Sequence, residues 1–179
     1  DIPEILAMIH ELACYENEPT AVQATEESLL RTLTFAPSPT STPSASASSS
    51  SSSHSPSSPS PGYAKTLLLR APSSDSHGAG EEVAGMALFF TNYSTWRGAP
   101  GIYLEDLFVR PAFRKRGYGK LLIRALAREC KEIGGGRLEW CCLKWNESSL
   151  EFYRALGARE QVEWVTLRVD GERLEALAK

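Results

Sequence analysis

The chain has 179 residues, with 19 lysines and arginines against 22 aspartates and glutamates, so its formal net charge is -3. That length suits a single domain with a sizeable core, and the missing basic excess argues against a nucleic-acid-binding protein. No apolar run could cross a bilayer and no signal peptide opens the chain. The four cysteines and three histidines show no metal-ligand spacing and no disulfide framework. We therefore expect no metal, reduced thiols and a cytosolic or nuclear compartment, with the cytoplasm as the expected location.

Two helices are predicted at the start of the chain. Asp1 can cap the first, and Pro3 fits its first turn. Apolar residues recur there at helical spacing at Ile5, Met8, Ile9 and Leu12. The second helix is predicted to begin near Thr25.

Residues 37–62 differ in kind, because 14 of these 26 residues are serine. Such a stretch buries too little apolar surface to offset its ordering entropy. We predict a disordered Ser/Pro-rich insertion within one domain over 1–179. A regulated interaction or phosphorylation site is the alternative interpretation of this segment.

The rest of the chain alternates strand and helix patterns. Strands are predicted over 63–70, 82–93, 102–109, 138–143 and 164–169, and turns over 75–80 and 97–101. Helices are predicted over 117–133 and 146–156, followed by a short terminal helix around Leu174 and Leu177. This order predicts an α/β layer fold with at least one parallel crossover.

The strand over 102–109 leads into a glycine-rich basic turn at the start of a helix. Gly117 and Gly119 allow close approach of a ligand to the backbone. The unpaired N–H groups of the first helical turn form an anion site. Positive charge around it comes from Arg114, Lys115, Arg116 and Lys120. A diphosphate is the natural ligand, whereas a solvated turn is the alternative.

Arg114-x-x-Gly117-x-Gly119 after an apolar strand resembles the R/Q-x-x-G-x-G/A coenzyme A signature of GNAT acetyltransferases. The resemblance implies acetyl-CoA as cofactor. It also implies the GNAT fold, a mixed and mostly antiparallel sheet with a parallel splayed strand pair, flanked by helices. The family's first strand would be missing before Asp1. The cofactor-binding residues that it implies here are Leu107, Phe108, Val109, Arg114, Lys115, Arg116, Gly117, Tyr118, Gly119 and Lys120.

A second block, from Trp145 to Ala158, resembles the family's W-N-x-x-S/A-x-x-F-Y-x-x-x-G-F/A helix. Asn146 can cap this helix. The resemblance implies that Tyr153 protonates the leaving thiolate, and that Asn146, Ser148, Ser149 and Tyr153 contact the cofactor.

Two adjacent carboxylates, Glu105 and Asp106, stand in an otherwise apolar strand. Alternation predicts that Glu105 shares a face with Tyr103 and Leu107 while Asp106 lies on the other face, unless a bulge intervenes. Carboxylates in a core strand usually have a purpose or a partner. A structural ion pair or an edge position is the alternative to a catalytic role.

The block Y-L-E-D-L-F-V is similar to the diamine acetyltransferase branch, which acts on spermidine, spermine and thialysine. The match implies that Glu105 is the general base, often through water. It also implies a set of substrate-binding residues, namely Tyr15, Glu16, Glu105, Asp106, Glu139, Trp140 and Trp164. The branch further implies a homodimer.

These residues favour direct transfer of an acetyl group from acetyl-CoA to a primary amine of a small cationic substrate. The amine arrives protonated at neutral pH, so a base must act before attack. Cys141 and Cys142 are interpreted as buried packing residues rather than nucleophiles. A protein N-terminal or lysine acetyltransferase is one alternative, and a catalytically silent acyl-CoA-binding module is another.

Overall fold

The computed structural model describes residues 1–35, 62–73 and 80–179. The predicted insertion over 37–62 and the predicted turn over 75–80 therefore fall, apart from their last residues, outside the described residues. The chain divides into two compact units, Asp1–Cys141 and Cys142–Lys179. Among the described residues, no helix is long and apolar enough to cross a membrane.

The described residues of the first unit form a sheet and three α-helices. Its elements, in chain order, are α1 (Ile2–Tyr15), α2 (Glu26–Thr32), β1 (Lys65–Pro72), β2 (Glu81–Ser94), β3 (Ala99–Val109), a 3₁₀ helix (Pro111–Phe113), α3 (Tyr118–Glu132) and β4 (Leu138–Trp140). The second unit contains α4 (Glu147–Ala155) and α5 (Gly171–Leu177). The 3₁₀ helix has no counterpart among the predicted elements.

The described sheet has the order β1-β2-β3-β4. β1 and β2 pair antiparallel, as do β2 and β3, whereas β3 and β4 pair parallel across the α3 crossover. The predicted mixed α/β sheet with a parallel pair is thus confirmed.

A β-bulge interrupts the ladder between β2 and β3. Leu88 pairs with Asp106 and Phe89 with Leu104, so Glu105 has no cross-strand partner on β2. Cross-strand partners share a face of the sheet, and the extra residue shifts the alternation. Asp106 therefore shares a face with Tyr103, which pairs with Phe90. The expectation from simple alternation, which separated Asp106 from Tyr103, is wrong.

α1 and α2 cover this same face of the sheet. Their buried residues Met8 and Leu29 join one apolar cluster with Met86, Leu88 and Phe108 of the strands. Each fully buried aliphatic or aromatic side chain contributes about 1.5–3 kcal/mol. This packing holds α1 and α2 against β2 and the end of β3, near the predicted site residues.

Three local expectations need correction. Asp1 stands at the N-cap of α1 but makes no side-chain cap, because its carboxylate pairs with Arg70. The strand predicted over 138–143 ends at Trp140. Beyond that end Cys141 is exposed and Cys142 is intermediate, so neither is the buried packing residue that the apolar sequence indicated.

The strand predicted over 164–169 is also wrong. Residues 164–170 have no regular secondary structure, and the second unit, described throughout, contains no strand. Trp164, Val165 and Leu167 are 69%, 80% and 88% exposed. An alternating sequence forms a strand only where a neighbour accepts and donates its ladder hydrogen bonds.

Candidate active site

The turn between β3 and α3 is open at its glycine. Gly117 is the N-cap of α3 and has φ 82, in the left-handed region that favours glycine. A Cβ built there would meet no heavy atom within 4 Å. Lys115 is also left-handed, with φ 61. Successive backbone N–H groups in a turn with left-handed residues can form a concave anion site, which suits the diphosphate predicted from the sequence.

Charge around this turn is positive, and the side chains are accessible. The basic residues predicted here are all exposed: Arg114, Lys115, Arg116 and Lys120. The first N–H of α3 to close a hydrogen bond belongs to Leu121, which donates to the Gly117 carbonyl at 3.0 Å. The preceding N–H groups are those that the helix start leaves for a ligand.

β3 and β4 separate soon after they pair. Their register covers only Ile102 with Leu138, Tyr103 with Glu139 and Leu104 with Trp140. In the first unit, the β4-side edge of β3 from Glu105 to Val109 is therefore without a strand neighbour among the described residues. Backbone groups on such an edge can pair with an extended ligand, although the Val109 carbonyl already accepts from Arg114 Nε at 2.9 Å. The predicted cofactor contacts at Leu107, Phe108 and Val109 lie on this edge.

Three carboxylates gather where the edge opens. Burial, with the nearby Glu105 and Glu16 carboxylates, raises the pKa of Asp106 to about 6. Burial raises the pKa of Glu16, the C-cap of α1. Glu105 is exposed at the bulge. The cluster favours a cationic ligand, because a nearby positive charge offsets the cost of holding these groups ionised.

Tyr103 was not among the predicted site residues, yet it borders this cluster. Its hydroxyl donates to Cys141 Sγ at 3.0 Å, and its ring stacks on Phe90. The hydrogen bond to Cys141, then burial and nearby negative groups including Glu105, raise the pKa of Tyr103 to about 12. Its shared face with Asp106 depends on the bulge, which the sequence does not display.

Glu139 of β4 is already engaged by neighbours. Its Oε2 accepts from Asn92 Nδ2 at 2.7 Å and forms an ion pair with Arg137 Nε at 2.7 Å. These contacts favour a structural use of the carboxylate over binding of an amine. Trp140 closes β4 and is partly buried.

Two arginines connect α1 to the end of β3, and only one was predicted as a site residue. Arg110 forms ion pairs with Glu4 and Glu11 of α1, at 3.0 Å each, and donates to the Val83 carbonyl at 3.0 Å. The Cζ atom of Arg114 lies 5.2 Å from the centroid of the Tyr15 ring. Arg110 is separated from Glu11 by 99 positions, so no local pattern could have revealed this pair.

The remaining predicted residues lie in the second unit. The Asn146 side chain accepts from Ser149 N at 3.2 Å, which confirms the predicted helix cap. Tyr153 lies on α4, and burial with the nearby Cys142 raises the pKa of its phenol. The phenol is therefore protonated at neutral pH, as a general acid requires. Ser148 lies in the first turn of α4, and Trp164 lies beyond its end.

Comparison with known proteins identifies relatives of this chain. Residues 47–158 match the model of the acetyltransferase (GNAT) family. A thialysine N-epsilon-acetyltransferase of Bos taurus is 31% identical over 181 residues, which cover 99% of this chain and 92% of that protein. An L-ornithine N5-acetyltransferase of Arabidopsis thaliana is 41% identical over 97 residues, 54% of this chain and 42% of the relative. The match thus spans less than half of the ornithine enzyme's length.

Among solved structures, an aminoglycoside acetyltransferase from an uncultured soil metagenomic sample, in complex with trehalose, has a TM-score of 0.62. It is 16% identical, over 95% of this chain and 91% of that chain. At that identity the likeness concerns the fold alone.

Proposed function

The chain belongs to the GNAT acetyltransferase family, and from that membership we propose that it acetylates a primary amine of a small cationic substrate. The acyl donor is acetyl-CoA, and the substrate class is polyamine-like or thialysine-like. Thialysine and ornithine, which the relatives' names contain, each carry a primary amine at the end of a short side chain. We also propose that the protein acts in the cytoplasm as a homodimer.

The observation that carries this proposal is a single arrangement in the first unit. The open edge of β3 begins at the bulged Glu105, and the open turn at Gly117 follows it after a short 3₁₀ helix. A donor held by its diphosphate at the turn and by its extended arm along the edge would bring its thioester to the carboxylates.

In the proposed mechanism, side chains of both units move protons. Glu105, directly or through water, takes a proton from the substrate ammonium, which makes the amine nucleophilic. Asp106 and Glu16 hold the cationic substrate, and the backbone N–H near Leu107 polarises the acetyl carbonyl. Tyr153 gives its proton to the departing thiolate.

Acetyl transfer to thialysine, spermidine and lysine tests this function. Glu105→Gln and Tyr153→Phe should each lower kcat by about 10²-fold or more, the usual contribution of a positioned acid or base. Glu132→Gln and Tyr93→Phe are matched controls at exposed positions and should retain the parent rate. Single-turnover measurements isolate the chemical step if product release is slow.

Three results would contradict the proposal. Parent-level single-turnover rates in both Glu105→Gln and Tyr153→Phe would remove their assigned roles. Coenzyme A binding without turnover on any amine would favour a silent acyl-CoA-binding module. Competition between spermidine and a basic peptide would identify a protein acetyltransferase if the peptide were preferred.

A further inference from the structure

The side chain of Arg114 extends from the glycine turn toward α1. Its Cζ atom lies 5.2 Å from the ring centroid of Tyr15 and 5.6 Å from that of Phe108. Its Nε donates to the Val109 carbonyl at 2.9 Å. A guanidinium within about 6 Å of a ring centroid is attracted by the ring's quadrupole. Arg114 is therefore held by one residue of α1 and two of β3.

The contact with Tyr15 leads directly to the carboxylate cluster. Tyr15 is the last residue of α1, and Glu16 follows it as the C-cap. The Glu16 carboxylate is close enough to Asp106 to act on it electrostatically. Arg114 thus contacts the residue that directly precedes Glu16, and the Glu16 charge acts on Asp106.

A cavity separates α1 from the turn where this contact is made. It has a volume of about 410 Å³, and its lining includes Cys14, Tyr15, Phe108, Pro111 and Arg114. The cavity leaves the end of α1 without close packing on that side. Tyr15 is 38% exposed, and the Arg114 guanidinium contacts its ring from the turn.

We propose that Arg114 is a positioning residue that couples the donor site to the amine site. This inference rests on the proposed function. A diphosphate bound at the turn orders the backbone that carries Arg114, and its guanidinium then holds Tyr15 and Glu16 in place before the amine arrives. Because coenzyme A binding has already offset the entropy cost of ordering these residues, the amine then binds more tightly. By thermodynamic linkage, a bound amine tightens coenzyme A binding by the same factor.

The coupling between the two sites is measured by a coupling factor, the Kd of coenzyme A without the amine divided by its Kd with the amine. Calorimetry gives the Kd of coenzyme A with and without a saturating concentration of whichever amine (thialysine, spermidine or lysine) is turned over fastest. In the parent chain the amine should tighten coenzyme A binding by about fivefold or more, within the usual range of couplings between sites. The free thiol form of the donor keeps the ternary complex from reacting.

Matched variants separate coupling from simple affinity. Arg114→Lys keeps the positive charge beside the turn but loses the planar guanidinium that stacks on rings, and Tyr15→Leu removes the ring. Both should lower the coupling factor toward one. Tyr15→Phe keeps the ring and should keep the coupling, which a general loss of structure at the end of α1 would not allow.

The outcomes distinguish this inference from the function on which it rests. Normal turnover with a coupling factor of one in the parent chain would overturn the coupling role alone. Full coupling in both Arg114→Lys and Tyr15→Leu would do the same. An unaltered chain that neither binds coenzyme A nor acetylates any amine of the panel would overturn the proposed function, and the coupling with it.

Discussion

Asp106 links the stability of the fold to the acid cluster. Burial, with the charges of Glu105 and Glu16, raises its pKa from an ordinary 3.8 to about 6. That difference corresponds to about 3 kcal/mol. The folded chain binds more protons than the unfolded chain between these two values, so the free energy of unfolding falls as the pH rises through this range. The stabilisation is fully present below about pH 4 and lost above about pH 6.

Asp106→Asn removes this titration. Its free energy of unfolding relative to the parent should rise by about 1–3 kcal/mol between pH 4 and pH 8, because only the parent acquires a buried charge. Urea unfolding at a series of pH values measures the change. Any pH-independent effect of the amide cancels, since the test compares the same two proteins at each pH.

Glu81→Gln is the control for this experiment. Glu81 is exposed at the start of β2, so its removal should leave the pH profile of the parent unchanged. A difference in the free energy of unfolding between Asp106→Asn and the parent that stays constant from pH 4 to pH 8 would refute the reasoning.

Asp106→Asn should also weaken amine binding, so its gain in stability above pH 6 would come with a loss of activity.

Two further substitutions test the turn and the α1 connection. Gly117→Ala should cost about 1–2 kcal/mol of stability at its left-handed backbone and weaken coenzyme A binding by roughly tenfold or more by placing a methyl group over the turn. Gly98→Ala, at φ 56 and equally open, should cost similar stability but leave coenzyme A affinity at the parent value; equal affinities in calorimetry would contradict the site. Arg110→Met should lower the free energy of unfolding by about 1–3 kcal/mol, because Glu11 and the Val83 carbonyl lose their partner. Arg154→Met, which removes exposed ion pairs, should keep the parent's free energy of unfolding. A parent-level free energy of unfolding for Arg110→Met would show that its ion pairs contribute nothing to stability.

Features encoded in neighbouring residues were predictable from the sequence. Gly117 at the start of α3 and Asn146 at the start of α4 both occupy their predicted places. A left-handed turn and a helix cap depend on the chemistry of a few adjacent residues. The resemblance of the surrounding motifs added the family, which comparison with known proteins then showed.

Features that depend on distant partners were not predictable. The bulge at Glu105 exists only in the ladder with β2, and no glycine marks it. It reverses the expected face of Asp106 and gives Tyr103 a place beside the cluster. Residues 164–169 alternate like a strand but have none beside them in their unit. The ion pairs of Arg110 join segments far apart in the chain.

The central claim is that backbone amides around Gly117 hold a diphosphate and so deliver a thioester to Glu105. The most direct measurement is a crystal structure of the chain with coenzyme A. We predict diphosphate oxygens about 2.7–3.2 Å from N–H groups of residues 115–120, with the thiol beside the Glu105 carboxylate. Coenzyme A bound away from this turn, or a thiol distant from the Glu105 carboxylate, would contradict the account.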